Sequence, residues 1–310
     1  MSSTDGTDLW LREHHPQLRV VRLNENRGPN PARNRAVMDA ITPYVLVLDA
    51  DVELVPGAVE TLRKTIGEDD SIGITTPVVL YADRPGMVQY RRTFIHFLAE
   101  ASADIHPVPL NELKGETAEV GLASGCAPLV RVEAARRVGL FEERYFFGKT
   151  DGEFAYRMTI GGYRILEPAS AQVIHHHTKR GSVYFKHQIA NRWHFILKDY
   201  QWRTLLAILP ILLIHEPALF LLLLVKGKVG EYFKAIRMLY AMLPGIRNDR
   251  RAIRQFRRKH DWQVLRGGKL VIPAGVARGS LARLAEVYRA FLRVYWFVAR
   301  AVLRIMSRPI

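Results

Sequence analysis

The sequence predicts an α/β fold, with a mostly parallel sheet flanked by helices and then a basic, apolar helical region. Three observations predict it. From Leu18 to His175, strand-like apolar runs alternate with helix-like segments, the pattern of a parallel sheet with crossover helices. The run Tyr44-Val45-Leu46-Val47-Leu48 leads directly into Asp49-Ala50-Asp51, so two carboxylates stand at the carboxyl end of a buried strand, where open α/β sheets bind ligands. Beyond residue 200 the chain turns to aliphatic runs and arginines.

Each element follows from its own pattern. Leu18 to Leu23 alternates as a short strand, and Pro31 to Ile41 reads as a helix with proline in its first turn, where a missing N–H is no loss. The Tyr44 to Leu48 strand, a helix over Pro56 to Ile66 and a strand over Ile72 to Leu80 continue the alternation. Residues 82–117 hold several prolines and no clear period, which predicts an irregular insertion shaping a pocket. Regularity returns with the small, apolar stretch Val120 to Val130, a helix over Val132 to Val138 and a helix beginning near Asp151. Short strands at Tyr163 to Leu166 and Gln172 to His175 complete the α/β part. The resulting division is 1–200 as the α/β domain and 201–310 as a helical, membrane-associating region.

Charge marks the same boundary. Residues 226–310 carry 20 Lys and Arg against four acidic residues, a net of +16, which leaves 25 basic and 26 acidic residues before them, a net of −1. A cationic tail suits nucleic acid or an anionic membrane surface, and the residues between the charges separate the two. From Leu281 to Met306, Arg289, Arg293, Arg300 and Arg304 fall within a ~60° arc at helical spacing, while Phe291, Leu292, Trp296, Phe297 and their neighbours fill much of the rest. That is the pattern of an interfacial helix, so an anionic membrane surface is the expected partner and no nucleic acid is. A helix packed on the domain with a solvated arginine face is the other reading of the same pattern.

Leu205 to Val225 is almost wholly aliphatic but interrupted by His215-Glu216-Pro217. As one helix it would be about 32 Å long at ~1.5 Å per residue, enough to cross a bilayer. The central charge and proline predict two shorter halves instead. A single crossing would also place the basic tail opposite the α/β domain, against the tendency of basic segments to stay cytoplasmic. The expectation is a peripheral protein at the cytoplasmic face of the cell membrane, monotopic or hairpin-anchored. A single cysteine, Cys126, excludes an internal disulfide and fits a reducing compartment, and no basic patch followed by an apolar core marks a secretory signal.

Carboxylates at i and i+2 on an extended strand end point the same way, which lets Asp49 and Asp51 hold Mg²⁺ or Mn²⁺ while leaving positions for water and phosphate oxygens. A strand followed by a solvated turn explains the same residues without a metal. Motifs elsewhere decide between them. Ser3-Thr4-Asp5-Gly6-Thr7, Asn26-Arg27-Gly28 with Ala32-Arg33-Asn34, Leu48-Asp49-Ala50-Asp51, and Pro56-Gly57-Ala58 occur in that order. They are followed by Ser124-Gly125-Cys126-Ala127, Gly139-Leu140-Phe141-Glu142-Glu143, Thr150-Asp151-Gly152-Glu153 and Val173-Ile174-His175. Together they resemble the large family of inverting glycosyltransferases with the GT-A (nucleotide-diphospho-sugar transferase) fold, glycosyltransferase family 2, in particular its rhamnosyltransferase-like members. The resemblance runs from the first residues to about Tyr200.

It implies a role for each matching position. Asp49, Asp51 and His175 would hold the Mg²⁺ or Mn²⁺ that stabilises the departing diphosphate. Asp151 would be the base that deprotonates the acceptor hydroxyl, with Glu153 as its fallback. Glu153 also reads as a helix-start carboxylate, and Arg157 one turn on is placed to pair with it. Asp5, Arg27, Gly28, Arg33, Asn34 and Asp49 would line the donor pocket, Gly125 the acceptor side, and Lys179-Arg180-Gly181-Ser182 a loop closing over the diphosphate. The donor implied is UDP- or dTDP-linked, and the acceptor lipid-linked or a cell-surface polysaccharide.

Two departures stand out. Thr150 replaces the family's usual glutamate before the base. The family normally opens with a strand, a helix and an Asp-Asn turn that hold the nucleotide base, whereas this chain starts at Met1-Ser2-Ser3. The expectation is an N-terminally shortened copy with impaired donor binding, and the rival from another class is a non-catalytic remnant serving as a membrane-bound partner subunit. An Asp-x-Asp-x-Thr phosphatase is disfavoured because Glu53 occupies the threonine position.

Overall fold

The computed structural model describes residues 5–103, 108–113, 115–176, 184–270 and 280–307. Two helices, α1 (Thr7–His14) and α2 (Pro29–Asp39), precede β1 (Tyr44–Leu46), β2 (Val52–Leu54), α3 (Ala58–Gly67), β3 (Ile72–Thr75) and β4 (Val78–Tyr81). The stretch expected to be irregular forms β5 (Met87–Tyr90), β6 (Thr93–Ile95), β7 (Ala101–Ala103), β8 (Val108–Pro109) and β9 (Ala118–Glu119). Then come β10 (Leu129–Arg131), α4 (Val132–Arg137), α5 (Thr150–Ile160), β11 (Arg164–Glu167) and β12 (Gln172–His175). Six helices follow: α6 (Tyr184–Asp199), α7 (Trp202–Val225), α8 (Val229–Met242), α9 (Ile246–Phe256), α10 (Asp261–Val264) and α11 (Ser280–Met306).

Two five-stranded sheets run β1-β10-β3-β11-β9 and β2-β12-β4-β5-β8. Only β11 with β3 and β12 with β4 pair in parallel, so the sheets are mixed rather than mostly parallel. Short turns account for β4–β5, where Gly86 stands at φ +76°, and for β6–β7, while β1–β10, β10–β3, β11–β9 and β12–β2 are antiparallel between strands far apart in sequence. Leu18 to Leu23 forms no strand. Among the described residues no strand is laid against it, and Leu18 and Val21 are exposed.

Packing follows the apolar positions. Helix α5 inserts Phe154, Ala155, Tyr156, Met158 and Ile160 into the core, with Phe154 stacked on Phe141 at 4.1 Å. Tyr156, Phe97 and Tyr200 join one buried cluster with Ile208, Leu212, Leu292 and Trp296. Phe97 stacks on Trp296 at 4.9 Å, so the helices after residue 200 share core with the sheets. Each such side chain contributes about 1.5–3 kcal/mol by leaving water.

Helix α7 is continuous, which corrects the expected break at His215-Glu216-Pro217 and with it a hairpin inside that segment. Its polar centre is satisfied from outside. Glu216 accepts hydrogen bonds from Arg192 and from Trp193 Nε1 (3.0 Å), and His215 Nδ1 lies 3.0 Å from the Tyr288 hydroxyl. With those groups paired, Pro217 removes one helical hydrogen bond without ending the helix. The amphipathic helix expected over Leu281 to Met306 is present as α11, burying Leu292, Trp296 and Leu303.

Candidate active site

The chain stays extended beyond β1. Val47 N–H donates to the Pro128 carbonyl and Asp49 N–H to that of Cys126, both at 3.0 Å, which fixes Asp49 beside the segment that carries Gly125. Across the gap, Asp151 stands in the first turn of α5, where the helix dipole favours a carboxylate. Arg33 on α2 links the two. Its Nη2 donates to Asp49 Oδ1 at 2.9 Å and its Nη1 to Asp151 Oδ1 at 3.0 Å. The guanidinium lies over the Phe141 ring, 5.5 Å from its centroid, with the side chain 10% exposed.

Burial works against a charged Arg33, but Asp151 and Asp49 overcome it and hold the guanidinium above its ordinary pKa. Burial raises the Asp49 carboxyl above its usual range, with Arg33 opposing and Asp151 adding to the rise. One cation therefore serves two carboxylates.

Gly125 sets the position of Asp151. A Cβ at Gly125 would fall 2.5 Å from Asp151 Oδ2 and 2.6 Å from its Cγ, so only glycine leaves room for this carboxylate. Thr150 Oγ1 donates to Asp151 Oδ1 at 3.1 Å, giving the residue that departs from the family pattern a part in holding this carboxylate.

Asp51 and His175 meet through strand register. β12 pairs antiparallel with β2, His175 opposite Val52, and His176 N–H donates to the Asp51 carbonyl at 2.8 Å. His175 is 4% exposed, with Nδ1 2.9 Å from Gln89 Oε1 and Nε2 3.5 Å from Asp51 Oδ2. With Gln89 Oε1 as acceptor, the proton is assigned to Nδ1, which leaves the Nε2 lone pair facing a carboxylate. Two acceptors at that separation suit a shared divalent cation, with Gln89 fixing the ring from behind. Asp49 turns to Arg33 instead, and among the described residues no group of three or more His, Cys, Asp or Glu converges as a metal cage.

Other expected residues have different work. Glu153 is fully buried and bonded to Arg157 Nε at 2.5 Å, Arg157 Nη2 at 2.8 Å and Lys198 Nζ at 2.5 Å. That corrects its reading as the fallback base. Although burial disfavours its charge, Arg157 and Lys198 lower its pKa, and no acceptor can reach it. Asn34 is buried with its amide used at both ends, donating to the Phe141 carbonyl (2.9 Å) and Glu143 (3.0 Å) and accepting from Phe141 N–H (2.8 Å). It is a clamp on the 141–143 turn rather than a donor ligand.

Gly28, at φ +87°, has the Phe146 backbone against its α-carbon, so its role is close packing. Arg27 is exposed beside Glu25 and Glu143. Asp5 binds the Thr7 N–H (3.1 Å) and hydroxyl (2.6 Å) at the start of α1, a helix that buries no residue. Lys179, Arg180 and His177 lie outside the described residues. Gln89 was not foreseen, because a lone glutamine in an aperiodic stretch carries no pattern.

Residues 2–138 match the family described as Glycosyl transferase family 2. The chain is similar to the N-acetylglucosaminyl-diphospho-decaprenol L-rhamnosyltransferase of Mycobacterium tuberculosis, 27% identical over 56% of this chain and 64% of that protein. It is also similar to a teichoic acid poly(glycerol phosphate) polymerase of Staphylococcus epidermidis, 30% identical over 29% of this chain and 12% of that protein. The chain thus spans less than two thirds of the length of these relatives. Among solved structures, GalNAc-T7 with UDP, GalNAc and Mn²⁺ superposes with a TM-score of 0.50 at 17% identity, covering 64% of this chain and 40% of that one. The shared architecture is the GT-A fold.

Proposed function

We propose, from the glycosyl transferase family 2 domain that residues 2–138 carry, a metal-dependent inverting glycosyltransferase at the cytoplasmic face of a membrane. It moves a sugar from a UDP- or dTDP-linked donor to a lipid-linked or cell-surface polysaccharide acceptor. The observation that carries this reading is the single Arg33 guanidinium spanning Asp49 at the strand end and Asp151 at the helix start, 2.9 and 3.0 Å away.

Inversion requires a base on the face of the sugar opposite the leaving diphosphate. Asp151 fills that role: it is half-exposed, held by Arg33 and Thr150, and given its space by Gly125. It takes the proton from the acceptor hydroxyl as the oxygen attacks the anomeric carbon, while the bond to the diphosphate breaks. Asp51 and His175 would hold Mg²⁺ or Mn²⁺, which when bound neutralises charge developing on the leaving group. Arg33 adds a fixed positive charge between the two carboxylates and keeps Asp151 oriented.

Membrane contact is supported by α7, 24 residues that include an 18-residue stretch with a mean hydropathy of 2.4, and by α11 beside it, joined by the Tyr295 hydroxyl donating to the Ala207 carbonyl at 2.5 Å. Both expose apolar residues, Leu206, Leu213 and Ile214 on α7 and Val287, Val294 and Phe297 on α11. The rhamnosyltransferase relative has a decaprenol-linked acceptor in its name, which supports a lipid-linked acceptor here.

Calorimetry with UDP and dTDP in the presence of Mn²⁺, paired with a sugar-transfer assay on a polyprenyl-diphosphate-linked acceptor, tests the reading. Binding of one nucleotide that weakens in Asp51→Asn is expected. Absence of nucleotide binding by the wild-type chain would sink the enzyme reading and leave the partner-subunit one.

A further inference from the structure

A cavity of about 150 Å³ lies where the end of α6, the start of α7, α9, and the end of α11 meet. It is well below the ~300–1,000 Å³ of clefts that enclose whole drug-sized ligands, so it suits a head group. Arg203, Arg250, Arg254 and Arg257 line it. Positions 250, 254 and 257 recur on one face of α9 and the turn after it, so the sequence directs three guanidinium groups the same way.

Few anions answer them. Asp261, behind the lining, is fully buried and committed to Arg257 Nη1 (2.6 Å), the Tyr156 hydroxyl (2.6 Å) and Gln201 N–H (2.6 Å). Asp199 lines the cavity, but neither carboxyl oxygen has a hydrogen-bond partner, and burial pushes its pKa up to about 8 despite Lys198 at 3.7 Å. Burial and the neighbouring Arg254 both press Arg250 below its ordinary pKa. Arg254 itself has no bonded partner among the described residues. The N-terminus of α7 also borders the cavity, and the Gln201 side chain does not cap it, so its first N–H groups add positive potential.

The rim is apolar. Trp202 of the lining, and Leu206, Val302, Ile305 and Met306 within two residues of lining positions on α7 and α11, are between 47% and 85% exposed. A concentrated cationic pocket beside exposed hydrocarbon matches a ligand with an anionic head and an apolar tail.

We infer that this cavity binds the phosphoryl head group of an anionic amphiphile whose hydrocarbon lies along α7 and α11. The site is separate from the sugar-transfer centre and rests on the membrane contact proposed above. Free phosphate or diphosphate shares the chemistry of the head group, and the test separates the sources.

The full chain, R254Q and R251Q are floated with vesicles of phosphatidylcholine alone and with vesicles containing phosphatidic acid, and each is melted with and without inorganic pyrophosphate. Arg251 is an exposed arginine of α9 outside the cavity lining, so its neutralisation changes net charge equally. On phosphatidic acid vesicles R254Q is expected to bind about fivefold more weakly, the worth of one arginine near an anionic surface, and R251Q within about twofold of wild type. Equal losses in the two variants, with binding to neutral vesicles kept, would preserve the membrane reading and overturn the head-group site. Thermal protection by pyrophosphate that R254Q alone loses, without any difference between the variants on vesicles, would overturn the lipid assignment in favour of a soluble anion. No binding of the wild type to either vesicle would overturn both readings.

Discussion

Two carboxylate clusters meet α5 two residues apart, at Asp151 and at Glu153, and they differ in how many cations each can call on. Around Asp151, the one Arg33 guanidinium serves Asp49 and Asp151 while Asp51 faces His175, and all three carboxylate side chains are 35–44% exposed. Around Glu153, Arg157 and Lys198 converge on one fully buried carboxylate, and Lys198 also reaches Glu142 at 2.9 Å, which Arg144 holds at 2.6 Å. The first cluster has anionic capacity left for a cation, a phosphate counter-ion or a proton. In the second, charge is matched and sealed, which makes it a strut between α5 and α6.

The comparison predicts opposite phenotypes for neighbouring substitutions. Asp151→Asn removes the proposed base, so sugar transfer should fall by about 10³-fold, within the ~10²–10⁴ range for general acid–base catalysis, with the melting curve nearly unchanged. Transfer retained at a tenth of wild type or better would move the base elsewhere. Glu153→Gln should do the reverse. It leaves Arg157 and Lys198 buried without their shared anion, at a cost of about 3–5 kcal/mol read from denaturant unfolding, while turnover per folded molecule stays near wild type. A stable E153Q with lost turnover would return Glu153 to the chemistry.

This difference was beyond the sequence, where Asp151-Gly152-Glu153 shows two acids at a helix start and nothing says which faces inward. The Asp49-Ala50-Asp51 pair was expected to point one way, yet Asp49 turns to Arg33 and Asp51 to His175, whereas Arg157 was legible as the Glu153 partner because helix spacing brings i and i+4 together. Lys198 as the second partner was not, since 45 residues separate it from Glu153 and only the packing of α6 on α5 joins them. Leu18 to Leu23 failed for the converse reason. Alternation describes a strand's faces, but a strand exists only where a neighbour supplies hydrogen bonds. The parallel sheet was overcalled because pattern does not report strand direction.

Gly125→Ala tests whether exposure alone makes the Asp151 cluster a site or whether geometry matters too. The added methyl falls on the Asp151 carboxylate, which must move off its Arg33 contact by roughly an ångström. Displacements of that size cost about 10²-fold in catalysis. Turnover should therefore drop while nucleotide affinity, assigned in the proposal to Asp51 and His175, stays within about threefold. An equal loss in both would mean that Gly125 shapes the donor pocket rather than the base.

Glu167 gives the subtlest form of the comparison, a buried carboxylate with little cation near it. Burial raises its pKa to about 7, against two hydrogen bonds from Arg92 N–H (3.0 and 3.1 Å) and the Arg91 guanidinium at 3.9 Å. Because the folded pKa lies above the unfolded value of 4.5, the native state holds the proton more tightly. Its contribution to stability is complete below pH 4.5 and is lost as pH rises through 7. The loss is of order 1–3 kcal/mol at 1.36 kcal/mol per unit. Wild type should thus lose stability relative to Glu167→Gln between pH 5 and pH 8, measured by urea unfolding. A difference that is flat with pH would mean that Arg91 pairs with Glu167 as fully as Arg157 and Lys198 pair with Glu153, and the number of nearby cations would no longer distinguish the two.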